Sequence, residues 1–379
     1  MKKTIRKVLI IANSNFSLRD GKYWTFSRDM RFYEELERLG YTLSFVGTAL
    51  PAEQELCTNI AGSAFDEHPG FKLYLFPSFR VMNPLRKLLA VLMTLPKLVT
   101  AIRRSDFVYL YMQHGKANVF TRICKLLHRP YGLYVRGYDP VLTPESRFHF
   151  TYKNASFSLC TGGELTRIAR SFGVDADEVV PMTSAFDRDP GVVRENELSD
   201  RPNILFVGRA ERPKGIYELI DGFCELRKTR PLRLTIIGAL EKNVREYIDA
   251  APCAADIATP GTLPFDELVE YYKSAAVFCL PSYFEGFPRV IYEALSFSLP
   301  IVTTFVGSIP CVMHDGENAL RIEPRSSADI AEKIARLLDD DELRGRLTAA
   351  SRQTYLELYA KFHGRSHAGQ LREKLDNLE

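Results

Sequence analysis

The sequence predicts an α/β protein of two domains, each built on a doubly wound parallel sheet. Its 379 residues are enough for two ordinary domains. Short apolar runs rich in strand formers alternate with amphipathic helical patterns, which is typical of parallel sheets with helices on both faces. A stretch rich in Pro, Gly and charged residues, 188–202, is predicted to be a linker. We therefore expect a first domain over 1–187 and a second domain over 203–360.

The composition indicates a globular protein without a membrane span. Hydrophobic residues make up 46% of the chain and charged residues 26%, as in soluble domains. The apolar run that begins at Val8 ends at Asn13, which is too short for a signal peptide or a transmembrane helix, so we expect a cytoplasmic protein. The seven cysteines include no C-x-x-C pair, and the sequence therefore predicts neither a zinc site nor a disulfide framework.

Charge is distributed unevenly along the chain. Residues 1–153 contain 23 Lys or Arg and 12 Asp or Glu, a balance of +11; the whole chain carries +3, so the remainder carries −8. A basic first half indicates an anionic partner there, either a membrane or a phosphorylated or acidic acceptor.

The first half contains several strand patterns and two long helical patterns. Strands are predicted at 5–12, 42–46, 72–76, 107–111, 131–135, 156–160 and 179–182, and helices at 24–39 and 83–104. Pro96 interrupts the second helical pattern, which predicts a kink or two shorter helices. Basic side chains share one face of this pattern, at Arg86, Lys97 and Arg104. This face is either an ordinary solvated surface or a contact with anionic membrane at the inner face of the cell membrane.

The second half alternates strands and helices regularly. Strands are predicted at 203–207, 232–237, 276–280 and 300–303, and helices at 215–229, 242–250, 265–274, 289–297, 327–339, 342–360 and 370–378. This alternation predicts a second parallel sheet.

Two carboxylates, Glu285 and Glu293, flank the start of the helix predicted after the strand at 276–280. Pro288 suits the first helical position, so the helix is predicted to begin there. Backbone N–H groups then point out of the helix N-terminus and attract phosphate or sugar oxygens, at Phe287, Arg289 and Val290. Glu293 is placed to accept hydrogen bonds from a diol such as ribose. The alternative is an ordinary strand-turn-helix with two solvated glutamates.

A second charged loop follows the strand at 203–207. It begins with Gly208 and Arg209 and ends with Lys214 and Gly215 at the start of a helix. An Arg that forks onto two oxygens and a Lys that supplies a point charge are what a diphosphate requires. The glycine spacing fits neither a P-loop nor a dinucleotide fingerprint.

Together these stretches resemble the retaining nucleotide-sugar glycosyltransferases of family four, which have the GT-B fold. The resemblance rests on the Gly-Arg, five residues, Lys-Gly loop at 208–215, on Gly-Thr-Leu-Pro-Phe-Asp-Glu-Leu at 261–268 followed by Tyr271, and on Pro-Ser leading into Glu285 and Glu293. It implies two Rossmann-like domains that face a cleft, with the donor mainly on the second domain and the acceptor on the first. It also implies a final helix, about 361–379, that crosses back to the first domain.

The resemblance implies a role for each matching residue. Arg209 and Lys214 would hold the donor diphosphate, Glu285 would meet hydroxyls of the transferred sugar, and Glu293 would meet the ribose. Further donor contacts are implied at Gly208, Gly261, Thr262, Leu263, Gly286, Phe287, Arg289 and Val290. The implied partners are a nucleoside-diphosphate sugar and a sugar or lipid-linked sugar acceptor, with no nucleic acid.

In the first domain the resemblance is looser. His114 follows the strand at 107–111, where relatives often have a histidine that reaches the donor sugar; the alternative is a structural or exposed histidine. Gly21 takes the place of a glycine-rich loop near the donor. Arg136 stands where many relatives have a His-Gly pair and is suited to an anionic acceptor. Asp139 in the same loop is a further acceptor-side candidate.

The sequence therefore predicts a metal-independent retaining glycosyltransferase without a cofactor. Asp187 and Asp189 match the metal-binding D-x-D of another glycosyltransferase fold, but they lie at the start of the predicted linker, and we reject that interpretation. A dinucleotide oxidoreductase is disfavoured because neither sheet begins with G-x-G-x-x-G. A GT-B epimerase or phosphorylase and a catalytically silent sugar-nucleotide-binding protein remain as alternatives.

Overall fold

The computed structural model describes residues 4–19, 22–50, 62–65, 68, 70–77, 84–112, 116–137, 145–187, 189–191 and 198–378. The chain divides into two compact units, Met1–Met182 with Arg365–Glu379 and Thr183–Gly364. The boundary thus falls after Met182 rather than after Asp187. Residues beyond it join the second unit because Ala185 O accepts a hydrogen bond from Tyr355 OH at 2.8 Å and the Phe186 ring packs on the same tyrosine.

The first unit contains a sheet with seven parallel strands in its described part. Its strands are β1 (Lys7–Arg19), β2 (Lys22–Phe26), β3 (Thr42–Leu50), β4 (Gly62–Ala64), β5 (Lys72–Pro77), β6 (Phe107–Met112), β7 (Tyr131–Val135), β8 (Phe157–Cys160) and β9 (Ala176–Glu178). The parallel strands run in the order β5-β3-β1-β6-β7-β8-β9, while β2 pairs antiparallel with the end of β1 and β4 with β2. The order reverses beside β1, as in doubly wound sheets.

Helices cover both faces of this sheet. They are α1 (Ser27–Arg38), α2 (Pro84–Arg104), α3 (Lys116–Leu126), α4 (His149–Lys153) and α5 (Gly163–Ser171). One buried cluster joins the sheet to α1, and the other joins it to α2, α3, α4 and α5. Helices α2 and α3 therefore lie on the same face of the sheet.

Among its described residues, the second unit has six parallel strands in the order β12-β11-β10-β13-β14-β15. The strands are β10 (Asn203–Val207), β11 (Arg233–Ile237), β12 (Ile257–Gly261), β13 (Val277–Leu280), β14 (Ile301–Thr304) and β15 (Leu320–Ile322). The helices are α6 (Ile216–Arg227), α7 (Lys242–Asp249), α8 (Phe265–Ser274), α9 (Arg289–Ser296), α10 (Ser327–Asp339) and α11 (Asp341–Phe362). The two parallel sheets confirm the predicted fold class.

The last helix, α12 (His367–Asp376), packs on the first unit. The side-chain carbonyl of Gln370 accepts a hydrogen bond from the backbone N–H of Val180 at 2.6 Å. Tyr109 OH lies 2.7 Å from His367 Nε2, and the imidazole stacks on Phe32 with ring centroids 4.4 Å apart. The chain thus returns to the first unit at its end.

Three predictions for the first unit were wrong in detail. The helix predicted from residue 24 begins at Ser27, because residues 22–24 pair with residues 17–19 in a hairpin. Helix α2 continues through Pro96, whose carbonyl accepts a hydrogen bond from Thr100 Oγ1 at 2.8 Å, so the alternative of two shorter helices was wrong and the kink stays a prediction. The strand predicted at 179–182 is not formed, since the N–H of Val180 bonds to a side chain instead of a neighbouring strand.

The structure contains a disulfide that was not predicted from the sequence. Cys224 in α6 and Cys253 after α7 form a disulfide with their Cα atoms 5.3 Å apart. The pairing follows from the packing of α7 beside α6, which a sequence separation of 29 does not reveal. As for membrane spans, the described ranges contain no helix with the length and apolar character that crossing a bilayer requires.

Candidate functional site

The two charged loops meet at the carboxyl edge of the second sheet. Strands β10 and β13 are neighbours, with Ile204 paired to Val277, and the strand order reverses between them. Gly208 follows β10 and Pro281 follows β13. Ligands of doubly wound sheets bind outside the carboxyl ends of the strands at such a reversal, so this edge is the candidate site.

Lys214 and Glu285 form an ion pair at this edge. Lys214 Nζ lies 2.5 Å from Glu285 Oε1, and the same oxygen accepts a hydrogen bond from Ser282 Oγ at 2.8 Å. The Lys214 side chain is 21% exposed and that of Glu285 is 10% exposed, whereas Ser282 is fully buried. The structure thus fixes a cation and a carboxylate side by side at a partly open edge.

Close backbone contact holds the two loops in register. Gly215 has φ +69°, and a Cβ at this position would lie 2.1 Å from the carbonyl oxygen of Pro281. The N–H of Tyr283 donates a hydrogen bond to the carbonyl of Pro213 at 2.9 Å. Only glycine permits this approach at a positive φ, so Gly215 determines where Lys214 stands relative to Glu285.

A second glycine, Gly307, allows another backbone segment to pack against the loop that carries Glu285. Gly307 has φ +60°, and its Cβ would lie 1.9 Å from the carbonyl oxygen of Glu285. The N–H of Ser308 donates to the carbonyl of Gly286 at 2.8 Å. The backbone of Glu285 and Gly286 is therefore packed directly against the backbone of Gly307 and Ser308.

Helix α9 begins next to this loop. Pro288 is the N-cap rather than the first helical residue, and the described structure contains no side chain that caps this N-terminus. Phe287 is buried and stacks on Tyr292 with ring centroids 4.4 Å apart. Backbone N–H groups of the first turn, including that of Val290, favour an anion at this end of α9.

Glu293 lies one helical turn further along α9 and is held by two hydroxyl groups. Thr183 Oγ1 donates to Oε1 at 3.0 Å, and Tyr272 OH donates to Oε2 at 2.9 Å. Burial and the neighbouring carboxylate raise the pKa of Tyr272 well above its usual range, so the phenol remains a donor. Each carboxylate oxygen can accept about two hydrogen bonds and accepts one from these hydroxyls, so acceptor capacity remains for a diol.

Arg209 extends from the end of β10 and is paired within its own loop. Its two terminal nitrogens lie 3.0 Å and 2.9 Å from the two carboxylate oxygens of Glu211, and its side chain is 70% exposed. This fork is the arrangement that Arg also makes with a phosphate. An anionic ligand would therefore have to replace Glu211 to engage the guanidinium.

The remaining residues predicted in the second unit lie at the ends of β12 and β10. Gly261 has φ +85°, and its carbonyl accepts a hydrogen bond from the N–H of Gly238 at 2.8 Å. Thr262 and Leu263 follow in the turn before α8 and are half-buried. Gly208 has φ +155° and donates its N–H to the carbonyl of Ile237 at 2.9 Å.

Little of the predicted first-unit site is described. Arg136 follows β7 and is half-buried, with its guanidinium carbon 5.7 Å from the centroid of the Tyr134 ring. Gly21, His114 and Asp139 lie outside the described residues. Their proposed roles stay predictions.

Asp189, the second residue of the rejected D-x-D pair, is bound by an arginine of α11. Arg352 donates to both carboxylate oxygens of Asp189, at 2.7 Å and 2.6 Å, and holds the pKa of this carboxyl below its usual range. Asp189 thus anchors residues 189–191 to α11. Among the described residues, no three His, Cys, Asp or Glu side chains are grouped as metal ligands.

Sequence reasoning missed four contributors to this edge, namely Thr183, Glu211, Tyr272 and Ser282. Glu211 could have been noticed, because it stands two residues after Arg209 with the opposite charge. Ser282 likewise precedes Glu285 by three residues. Thr183 lies 110 residues before Glu293, and no local pattern marks that contact.

Comparisons with known proteins find similarity to glycosyltransferases. Residues 191–354 match the sequence model of the family described as "Glycosyl transferases group 1". The chain is similar to a D-inositol 3-phosphate glycosyltransferase of Paenarthrobacter aurescens, with 29% identity over 52% of each chain. It is also similar to the capsular polysaccharide biosynthesis glycosyltransferase CapM of Staphylococcus aureus, with 34% identity over 39% of each. The chain thus matches about half the length, or less, of these curated relatives.

A solved structure shares the whole fold. The crystal structure of Anabaena Alr3699/HepE in complex with UDP and glucose aligns with a TM-score of 0.67 over 98% of this chain and 100% of that one. At 15% identity this similarity shows the fold alone, which is the predicted GT-B fold. The family match lies within the second unit of this chain.

Proposed function

We propose that the protein is a glycosyltransferase that moves a sugar from a nucleoside-diphosphate donor to an acceptor with retention of the anomeric configuration. The observation that carries the proposal is the Lys214–Glu285 pair, fixed at the carboxyl edge where the second sheet reverses its strand order. The curated relatives are named as glycosyltransferases, and the aligned crystal structure contains UDP. These names support the proposal for this chain.

The proposed donor site follows from the charges at this edge. The ammonium of Lys214 and the guanidinium of Arg209 bind the diphosphate, together with the N-terminus of α9. Glu285, half of whose acceptor capacity is used by Lys214 and Ser282, accepts hydroxyls of the transferred sugar. Glu293 accepts the ribose hydroxyls while Tyr272 and Thr183 hold its carboxylate in place.

Catalysis in this proposal is electrostatic. Breaking the bond between the anomeric carbon and the diphosphate oxygen moves negative charge onto the departing diphosphate. Lys214, Arg209 and the N-terminus of α9 stabilise that charge, so the step needs no metal ion. The acceptor oxygen forms a bond to the anomeric carbon on the face that the diphosphate leaves, and the departing phosphate accepts the proton of that hydroxyl, which gives retention without a protein nucleophile.

The acceptor is proposed to be a sugar or a lipid-linked sugar in bacterial surface polysaccharide or glycolipid assembly. The similarity to the capsular polysaccharide enzyme supports this class of acceptor. The basic character of residues 1–153 supports an acceptor or surface that carries negative charge.

The test is incubation with a panel of nucleotide sugars and sugar or lipid-linked acceptors, with release of nucleoside diphosphate as the readout. We expect release that requires an acceptor and persists in a chelator, and a product whose anomeric configuration matches the donor by NMR. Activity abolished by the chelator and restored by manganese would contradict the metal-independent mechanism. Donor binding without release would indicate the silent binding protein instead, and donor isomerisation without an acceptor would indicate an epimerase.

A further inference from the structure

The outer faces of α2 and α3 form one surface of the first unit. Leu98, Ala101 and Ile102 of α2 and Ala117 and Cys124 of α3 are buried in the same cluster beneath the sheet face. A guanidinium nitrogen of Arg129, just after α3, donates to the carbonyl of Arg103 at the end of α2 at 2.8 Å. Because both helices bury one side in a common core, their opposite sides face away from the sheet together.

Large apolar side chains protrude from this surface. The described part of the chain has seven strongly exposed large hydrophobic residues, and four of them belong to these two helices. Their exposed fractions are 66% for Met93, 40% for Leu95, 57% for Val119 and 77% for Leu126. Exposed apolar residues are ordinary when scattered, but a cluster of them on one face indicates a contact surface.

The same surface is strongly basic. Residues 84–129 contain nine Lys or Arg and a single acid, Asp106, a balance of +8. Asp106 Oδ2 accepts hydrogen bonds from the backbone N–H groups of Arg6 and Lys7 at 3.2 Å and 3.0 Å, so this carboxylate is engaged by the chain itself. Exposed cations lie on the same two helices, at Lys97, Arg103, Arg104, Arg122 and Lys125.

We propose that this docking surface, defined by Met93, Lys97, Arg104, Val119, Arg122 and Leu126, binds an anionic lipid bilayer. The proposal concerns where the protein works and is independent of the donor chemistry in the second unit. An interfacial helix places apolar side chains at the headgroup boundary while Lys and Arg meet the anionic headgroups. The side chain of Arg86, which the sequence places on the same face of α2, lies outside the described side chains.

The alternation of cations with aliphatic side chains favours a bilayer over other polyanions. A nucleic acid or an acidic polysaccharide would bind the cations but would leave Met93 and Leu126 exposed to water. A purely apolar protein partner would have to desolvate Lys97 and Arg104 without compensation. A bilayer surface satisfies both groups at different depths.

The experiment is sedimentation of the full chain with vesicles of phosphatidylcholine alone and of phosphatidylcholine with about one third phosphatidylglycerol. We expect the protein to pellet with the anionic vesicles only, and less so as salt rises. Each basic residue near such a surface contributes about 1 kcal/mol, so Lys97→Glu with Arg104→Glu lowers the partition coefficient by about 30-fold or more. Met93→Ser with Leu126→Ser lowers it independently, and the loss persists at high salt.

A matched control pair is Leu356→Ser with Lys242→Glu, which changes exposed residues of the second unit and leaves vesicle binding unchanged. Melting temperatures of all variants establish that they are folded. The proposal is overturned if the wild type does not pellet, if it pellets equally with neutral vesicles, or if the control pair loses as much binding as the docking-surface variants. Binding to a soluble polyanion such as heparin without binding to vesicles also overturns it. Vesicle binding is measured without a nucleotide sugar, so its failure leaves the proposed transferase function untouched.

Discussion

Polar side chains of the second unit's candidate site are charged, whereas Tyr109 and His367 in the first unit's core are neutral. At the edge of the second sheet, charged side chains stay partly open to water and pair with one another, as Lys214 does with Glu285. In the first unit, Tyr109 and His367 are fully buried on the α12 face and stay neutral. Burial raises the pKa of Tyr109 well above its usual range and lowers that of His367 to about 3.

The difference shows how one architecture serves two purposes. Paired charges at an open edge can exchange partners with an anionic ligand at small cost, because water still screens them. Neutral groups in a dry core gain nothing from such a ligand and instead fix the position of α12. Variants in each region distinguish these two roles.

The largest expected effect concerns the backbone contact beneath the charged loops. Gly215→Ala puts a Cβ 2.1 Å from the carbonyl of Pro281 at a positive φ, so we expect a loss of at least about 3 kcal/mol of unfolding free energy. Gly316→Ala is the matched control, because Gly316 has φ +73° but nothing within 4 Å of its Cβ position, and we expect about 1 kcal/mol. Denaturant unfolding measures both. Equal losses would mean that the close approach contributes nothing.

The next effect concerns the cations. A charge-assisted hydrogen bond contributes about 1.5 to 3 kcal/mol, so Lys214→Ala and Arg209→Ala each lower turnover by about ten- to hundredfold or more. Lys242→Ala, a 91% exposed lysine of the same unit, serves as the control. Steady-state release of nucleoside diphosphate is the measurement. Full activity in both site variants would remove the electrostatic mechanism.

A pH dependence is expected from the first unit. His367 has its pKa lowered to about 3 by burial and by Arg136, whereas an unfolded histidine titrates near 6.5. The unfolded chain therefore binds the extra proton first, and stability is lost as pH falls below about 6.5, by about 2 kcal/mol between pH 7 and pH 5. The variant His367→Gln lacks this part of the slope of stability against pH. Urea unfolding of both proteins at the two pH values measures the difference. An unchanged slope would show that the imidazole is not held neutral.

The smallest expected effect separates the two glutamates. Glu285→Ala lowers sugar transfer while it spares binding of the free nucleoside diphosphate, because its proposed partner is the sugar. Glu293→Ala weakens binding of both the diphosphate and the nucleotide sugar by about tenfold, because its proposed partner is the ribose. Calorimetry with both ligands makes the comparison. The assignment does not survive equal effects in the two variants.

The sequence predicted the second unit better than the first for a physical reason. Strands such as β10 and helices such as α10 are bounded by local apolar runs and caps, and both have the predicted bounds. The beginning of α1 and the length of β1 depend instead on a hairpin between residues 17–19 and 22–24. Strand β12, with the sequence IATPG, has no apolar run, and β15 has only three residues, so both are defined by their pairing with neighbouring strands.

The candidate site was predictable only in part for the same reason. Charged residues in loops after strands can be recognised in the sequence, as Arg209 and Lys214 were. Their partners cannot, because Lys214 and Glu285 are 71 residues apart and Tyr272 contacts Glu293 from α8. The disulfide between Cys224 and Cys253 likewise depends on how α6 and α7 pack.

The most direct test of the account compares a nucleoside diphosphate with the corresponding monophosphate by calorimetry, on the wild type and on Lys214→Ala. If Lys214 holds the second phosphate, the wild type binds the diphosphate at least about tenfold more tightly than the monophosphate. Lys214→Ala then loses most of this preference while its affinity for the monophosphate changes little. A preference that is absent in the wild type, or unchanged in Lys214→Ala, would contradict the central claim that this edge of the second sheet is a diphosphate site.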